Sequence, residues 1–372
     1  MRIKDLHIRF YKNLKDIRWP LAEGIHYITG PNGIGKTNLL DSLYFLATGK
    51  SYFTPKSLYD VIHYDSDFMR IQWQSHFEEQ WVPFVIKLTR GQSLSIERYG
   101  KPFERRVDYV GTHPVVLIAP DDIYNFKHSA SERRRWIDAA LSMMDVEYLT
   151  KLRQHNRLLR QRNALLRRAE HASEDVYRLL DAYDEQLWPL VRYIFEQRQC
   201  YLHALIPHIQ SYYRRISSQA ERVDVQYQSE VDVDDYLQNM SQRREEDLRF
   251  QRTGYGIHRD DIYCTIDTRP MKGNASQGQW KSFILAFKMA QYRYMAHSVG
   301  HLPLLLIDDI FAKLDRSRVH ALFEILQTDS FGQVFITDTD KERMQELLID
   351  FGASNMEGYD MKEGTLMPVS QL

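Results

Sequence analysis

The sequence predicts an α/β fold in which a discontinuous head, residues 1–125 and 251–372, is interrupted by an all-helical lobe at 126–250. Three observations carry that prediction. A glycine-rich turn at 30–35 sits between a short strand pattern and a leucine-spaced helix pattern. A charged, leucine-periodic tract with almost no glycine runs from about 129 to 220. The last hundred residues alternate helix and strand patterns.

Ile3, Leu6, Ile8 and Phe10 give the first strand, and Ile25–Ile28 the second. Lys36–Ala47 reads as a helix through Leu39, Leu40, Leu43 and Leu46. Short β-rich runs at 68–73, 81–88, 94–99 and 115–118 predict a mostly antiparallel subdomain beside a mixed sheet. Ser129 and Glu132 form a capping-box pattern that opens the helical lobe, where two to four helices are expected. Pro189 and Pro207 are expected to start or kink helices. The acidic stretch 230–247 reads as a helix or a linker. Strand texture returns at 262–266, then helix at 278–298, a buried strand at 303–308, helix at 316–327 and strand at 333–337.

Composition narrows the class. Hydrophobic residues make up 43% and charged residues 27%, the profile of a globular chain with apolar material for a sizeable core. Lys plus Arg is 49 and Asp plus Glu is 50, a net charge of −1, which excludes a polycation that binds nucleic acid over its whole surface. The residues after Met1 carry no signal-peptide run, and Leu302–Ile307 is too short to span a bilayer, which takes ~20 residues. Cys200 and Cys264 suit neither a disulfide framework nor a zinc pair. A cytoplasmic protein is expected, without a membrane partner.

Gly30-Pro31-Asn32-Gly33-Ile34-Gly35-Lys36-Thr37 matches G-x-x-x-x-G-K-[ST] without gaps, and Asn38 follows. Glycines let backbone amides curl around phosphate oxygens, and the helix that starts near Lys36 aims its positive end at them. Lys36 is placed to reach the β- and γ-phosphates of ATP, and the Thr37 hydroxyl to ligate Mg2+. Such a loop needs a metal-holding acid at the end of another buried strand. Leu304–Ile307 followed by Asp308 and Asp309 supplies it: Asp308 as Mg2+ ligand, Asp309 to orient or deprotonate the attacking water. Ser276-Gln277-Gly278-Gln279, opening a long helical run, looks like the signature loop of ABC-type ATPases. In that superfamily the loop meets ATP held by a second subunit. Ser276, Gly278 and Gln279 are therefore expected to cap nucleotide across a homodimer. Phe311-Ala312-Lys313-Leu314-Asp315 resembles the D-loop of the same interface. The fold class is thus an ABC-type ATPase head with a helical insert.

Over most of its length the chain resembles the RecF family of bacterial recombination mediators. The resemblance rests on Phe10-Tyr11-Lys12-Asn13, the 33–40 loop and helix, Gly49-Lys50-Ser51-Tyr52, Ala119-Pro120-Asp121-Asp122, Glu132–Asp138, Gln161–Leu166, Gly256–Asp261 and Ser276–Gln279. It departs at Phe53, where the family commonly has arginine, at Ile257 for proline and at Asp41 for glutamate. No glutamine lies between 113 and 125 to serve as a Q-loop residue, and Thr337-Asp338-Thr339 stands where an ABC switch histidine is expected. The resemblance implies an ATP-driven dimer that clamps DNA at gaps or junctions, hydrolyses ATP slowly to let go, and helps load the recombinase with RecO and RecR.

Tyr148–Arg168 carries seven basic residues and no acidic one. At 100° per residue Arg153, Arg157, Arg160, Arg167 and Arg168 share a face opposite Leu152, Leu158, Leu159, Leu165 and Leu166. That face reads either as a sequence-neutral DNA contact or as a solvated face paired with Asp175, Asp181, Asp184 and Glu185. Arg259-Asp260-Asp261 reads either as an ion-paired turn or as part of the nucleotide or DNA side of the head. The alternatives for the whole chain are an ABC transporter ATPase subunit and a structural DNA-binding module with a vestigial nucleotide site.

Overall fold

A computed structural model describes residues 2–53, 57–77, 79–169, 173–217, 221–311, 314–351, 356–362 and 364–369. They form two compact units: Met1–Ile123, Ser211–Ala220 and Ser276–Leu372 make the first, Tyr124–Gln210 and Glu221–Ala275 the second.

The first unit opens with strands β1 (Arg2–Tyr11) and β2 (Leu14–Trp19), then β3 (Ile25–Thr29) and helix α1 (Lys36–Thr48). Strands β4 (Phe68–Phe77), β5 (Gln80–Thr89), β6 (Ser95–Arg98), β7 (Lys101–Pro102) and β8 (Val115–Ile118) follow. Six of them make an antiparallel sheet in the order β2-β1-β4-β5-β6-β7. In β1 the side chains of Ile3, Leu6, Ile8 and Tyr11 are buried, and a register shift between Lys4 and His7 accommodates their uneven spacing. β2 escapes the sequence pattern because Lys15, Asp16 and Arg18 dilute its apolar residues, yet Leu14, Ile17 and Trp19 are buried. β8 does not join the antiparallel group expected for it. Val115–Ile118 is buried on both faces, the pattern of a strand inside a parallel sheet.

The chain enters the second unit along α2 (Asp122–His128), then α3 (Ala130–Met144), α4 (Val146–Arg168) and α5 (Glu174–Ser217). Ser129 caps α3 by accepting a hydrogen bond from the Glu132 amide at 3.2 Å, as the capping pattern implies. α5 runs through Pro189 and Pro207 as one 44-residue element. Each proline removes one backbone donor, but Leu187, Leu190, Val191, Ile194, Leu202, Leu205 and Ile209 are buried along its length, and that packing outweighs the loss. β9 (Val223–Gln228), α6 (Tyr236–Gln242), α7 (Arg244–Phe250), β10 (Asp261–Ile266), β11 (Arg269–Pro270) and the single turn α8 (Met271–Asn274) complete the order. β11, β10 and β9 form a small antiparallel sheet, and its pairing keeps residues 251–275 in this unit. Charge is buried here in matched sets. The Arg162 guanidinium, fully buried, donates to Asp184 and Asp247, each at 2.7 Å, and to Thr253 at 2.9 Å. Arg198 likewise bonds Asp138 at 2.9 Å and the Ile257 carbonyl at 2.8 Å.

The chain returns to the first unit with α9 (Gln277–Val299), β12 (Leu304–Asp308), α10 (Arg316–Thr328), β13 (Val334–Asp338), α11 (Lys341–Phe351), β14 (Met356–Lys362) and β15 (Thr365–Pro368). The mixed sheet has the order β15-β14-β3-β13-β12-β8, parallel except for β15. α1 packs on β8, β12 and β13, α9 on β8, and α11 on β3. Leu304–Ile307 are wholly buried, each contributing ~1.5–3 kcal/mol of apolar burial. Among the described residues no helix is long and apolar enough to cross a membrane.

Burial pushes His155 and His258 of the second unit down to about 4 from an ordinary 6.5. The unfolded chain therefore binds more protons than the folded one between those values. The stability tied to these histidines is complete above about 6.5 and is lost as the pH falls towards about 4. Thermal melts at pH 7.5 and pH 5 check this: the drop in melting temperature should be smaller in His155→Gln than in the unaltered chain. Equal drops would contradict it.

Candidate nucleotide site

Parallel pairing around β13 builds the site. Asp308 lies opposite Thr337, and Thr337 opposite Ile28, so the 30–35 loop and the two aspartates leave the same carboxyl edge of the sheet. The loop is shaped by close approaches. Gly35 has φ +118°, and a Cβ there would sit 2.9 Å from the Asn13 amide and from Leu14. Asn13, in the turn between β1 and β2, donates to the Ile34 carbonyl at 3.2 Å and accepts from the Asn38 amide at 2.8 Å. It latches the loop to the antiparallel sheet. α1 begins at Lys36 directly behind the loop, so its unpaired first-turn amides face the loop's concavity.

The Lys36 ammonium donates to the carbonyls of Gly30 at 2.7 Å and Pro31 at 2.9 Å. Two of its three donors shape the loop, leaving the third for a phosphate oxygen. Burial lowers its pKa, opposed by the nearby Asp309, Asp308 and Asp338. The Thr37 hydroxyl lies 3.0 Å from both oxygens of Asp308, and the Thr337 hydroxyl donates to the same carboxylate at 2.8 Å. Burial raises the Asp308 pKa, and the two hydroxyls act against it. Asp309 adopts φ +39°, a backbone state rare outside glycine, and its amide is fixed by the Thr337 carbonyl and hydroxyl, both at 3.1 Å. A hydroxyl and a buried carboxylate form a hard oxygen set that fits Mg2+, which takes one or two protein ligands and fills the rest with phosphates and water. Among the described residues no group of three or more His, Cys, Asp or Glu could hold a metal ion.

Ser276 caps α9. Its hydroxyl accepts from the Gln279 amide at 3.2 Å, and the Gln279 side chain accepts from the Ser276 amide at 2.7 Å. The cap is exposed, so the helix start faces outward. Gly278 lies against Arg318, whose guanidinium would be 3.0 Å from a Cβ there. Arg318 donates to Ser282 at 2.8 Å and pairs with Asp315, the cap of α10. It thus ties the signature turn to the D-loop segment, a role no motif announced because it lies three residues beyond that segment. Ala312 and Lys313 of the expected D-loop lie outside the described residues; Phe311 is buried and stacked near Tyr27.

Two family-like segments meet through a hub that sequence reasoning missed. Asp41, fully buried in α1, accepts from Tyr11 at 2.6 Å, Ser51 at 2.7 Å and the Tyr52 amide at 2.7 Å, and pairs with Lys12 at 2.7 Å. Tyr52 donates to Asp122 at 2.5 Å, and Asp122 pairs with Lys288 of α9 at 3.4 Å. Phe53 has the Lys12 ammonium 5.8 Å from its ring centre. At the position of the switch histidine, Asp338 accepts from Tyr27 at 2.6 Å and Arg343 at 2.9 Å.

In the second unit Arg153, Arg157, Arg160, Arg167 and Arg168 are all exposed on α4, and among the described residues none has an ion-pair partner. Two of the four acids that were candidates to neutralise them go elsewhere: Asp184 pairs with the inward Arg162, and Asp181 with Arg244. The 259–261 motif divides. Asp261 binds Arg133 at 2.6 Å and Asp260 accepts from Ser229 at 2.5 Å, which is the ion-paired turn, while Arg259 is exposed.

The family described as RecF/RecN/SMC N terminal domain matches residues 2–359. The DNA replication and repair protein RecF of Flavobacterium johnsoniae is 35% identical over 350 residues, covering 94% of this chain and 97% of that protein. RecF of Bacteroides thetaiotaomicron is 34% identical over 356 residues, 95% of each chain. A solved structure of the recombination mediator protein RecF with ATP, from the RecFOR pathway, superposes with a TM-score of 0.86 at 25% identity over 99% of this chain and 97% of that one. The Smc head bound to the C-winged helix domain of ScpA gives a TM-score of 0.58 at 16% identity over 99% and 97%, a likeness of fold.

The loop latch is testable with a fluorescent ATP analogue. Asn13→Ala should weaken nucleotide binding about tenfold, the equivalent of ~1–1.5 kcal/mol for two lost hydrogen bonds. Gly35→Ala should weaken it further, since its Cβ meets Asn13 and the backbone is left-handed. Unchanged affinity in both would contradict the latch.

Proposed function

The chain belongs to the RecF family, and on that premise we propose that it is an ATP-gated DNA clamp of replication and repair, an ABC-type ATPase that works as a switch. The observation that carries the proposal is the Thr37 hydroxyl held 3.0 Å from both oxygens of Asp308, the pairing of loop and strand that a nucleotide-bound cation would bridge.

The amides of Gly30–Gly35 and the first turn of α1, reaching Asn38, receive the phosphates of ATP, and Lys36 neutralises the β- and γ-oxygens. Thr37 and Asp308 would hold Mg2+, which when bound offsets the charge that develops between those oxygens. Asp309 orients the attacking water and accepts its proton. Ser276, Gly278 and Gln279 of a second copy cap the γ-phosphate, so the dimer forms around ATP and opens after hydrolysis. Asp309 is one methylene shorter than the glutamate of many ABC ATPases, which suits slow turnover. The α4 arginines grip DNA through its phosphates without reading sequence, and a local basic face reconciles DNA binding with a net charge of −1. Helping to load a recombinase at gaps, beside RecO and RecR in the cytoplasm, is the role the family resemblance supports.

Phosphate release and sedimentation with ATP test the assignment together. Asp309→Asn should keep ATP-dependent dimerisation while hydrolysis falls by a factor of about 10²–10⁴, the usual loss of a general base. Lys36→Ala should lose both. If either variant leaves dimerisation and hydrolysis both unchanged, the mechanism is wrong.

A further inference from the structure

The second unit holds a cleft of about 740 Å³ between β9, α7 and the 251–261 segment. Its volume falls inside the ~300–1,000 Å³ range of ligand pockets. Arg243, Arg252, Arg259, Glu230, Glu246 and Phe250 are among the residues that line it. None of them belongs to the nucleotide site or to the α4 face.

The segment that shapes the cleft is fixed from beneath. Gln251 ends α7 at φ +54°, and the Arg252 amide donates to the Asp247 carbonyl at 3.1 Å. The Thr253 amide and hydroxyl donate to Asn163 at 2.8 and 2.7 Å, and the Gly254 amide to Asp247 at 2.8 Å. Asp247 is held in turn by the buried Arg162. Gly256, at φ +133°, turns the chain so that the Arg259 amide donates to the Gly256 carbonyl at 2.9 Å. A buried ion set therefore sets the two arginine backbones in advance of any ligand.

Two of the arginine side chains above this floor are uncommitted. Arg133, Arg162, Arg198 and Arg244 each reach a carboxylate, and Arg134 reaches the Asp260 carbonyl. Arg252 and Arg259 are exposed, and among the described residues they have no ion-pair or hydrogen-bond partner for their guanidinium groups. Arg243 is tethered over the Tyr255 ring at 4.7 Å and lies 3.6 Å from Glu230. Phe250 is 50% exposed at the mouth of the cleft, with the Arg249 guanidinium 4.5 Å from its ring centre.

We propose that this cleft binds a short acidic peptide segment of a partner protein: Arg252 and Arg259 take its carboxylates as two-toothed donors, and Phe250 takes an apolar side chain. Guanidinium groups match carboxylates through paired N–H bonds. Phe250 provides the aromatic anchor that peptide interfaces favour. The exposed carboxylates of Glu230 and Glu246 decide between peptide and nucleic acid. A peptide backbone offers N–H donors to them at each residue, whereas the deoxyribose–phosphate backbone of DNA has none to offer.

The test is fluorescence anisotropy with a labelled hexapeptide of four glutamates and two phenylalanines, set against a labelled hexathymidylate. The peptide should bind the unaltered protein in a salt-dependent manner. Arg252→Glu with Arg259→Glu should weaken it about tenfold or more, the loss of two charge-assisted contacts. Phe250→Ala should weaken it severalfold, and Arg252→Lys with Arg259→Lys should recover part of the binding. Thermal melting of each variant at the unaltered temperature shows that the fold is kept, as exposed positions imply. Peptide binding no tighter to the unaltered protein than to the charge-reversed one overturns the proposal. So does a hexathymidylate that binds more tightly than the peptide and loses binding in the same variant.

Discussion

Asp308 is the constraint around which the head is organised. It ends a strand whose every residue is buried, and a carboxylate in that position is costly unless its oxygens are satisfied. Two hydroxyls satisfy them: Thr37 from the loop helix and Thr337 from the neighbouring strand. Both depend on parallel pairing, since only that pairing sets the ends of β3, β13 and β12 side by side. The loop, the strained Asp309 and the outward start of α9 take their meaning from this edge. Burial leaves Asp308 with its pKa raised although the two hydroxyls act against it, a state that a bound cation would reverse.

A second constraint joins α1, behind the glycine-rich loop, to α9 within one unit. Asp41 of α1 holds Tyr52, Tyr52 holds Asp122, and Asp122 holds Lys288 of α9. Lys288 is buried midway along the helix whose start is the signature turn, and it also donates to the Leu117 carbonyl at 2.9 Å. Each ion in this set is compensated, so removing one partner strands the others in a dry interior. The arrangement fixes the distance between the glycine-rich loop and the start of α9.

Much of this was legible in the sequence because the chemistry sits in contiguous residues. The loop, Asp308, Asp309 and the Ser276 cap are local patterns with a strand before or a helix after, and the structure sets each at the expected end of its element. Asn13, Arg318 and Asp41 were not legible. Each acts on residues distant in the chain, 21 positions away for Asn13 and Ile34 and 36 for Arg318 and Ser282, and nothing local distinguishes them from other polar residues. Arg162 shows the opposite limit. It sits in a run of exposed arginines, and only the fold reveals that it alone turns inward to Asp184 and Asp247. β2 and β14 were missed for want of apolar alternation, and α5 was expected to break at prolines that its packing overrides.

The proposed sandwich holds nucleotide on Lys36 of one copy and caps it with Ser276 of another. Complementation measures it directly. Lys36→Ala and Ser276→Arg are each expected to abolish ATP hydrolysis alone. Mixed together they form heterodimers in which one composite site has both an intact Lys36 and an intact Ser276. The account predicts that the mixture regains hydrolysis. A mixture of two folded, ATP-silent variants that stays silent at every ratio would contradict it, because a site completed within one chain cannot be rescued by a second.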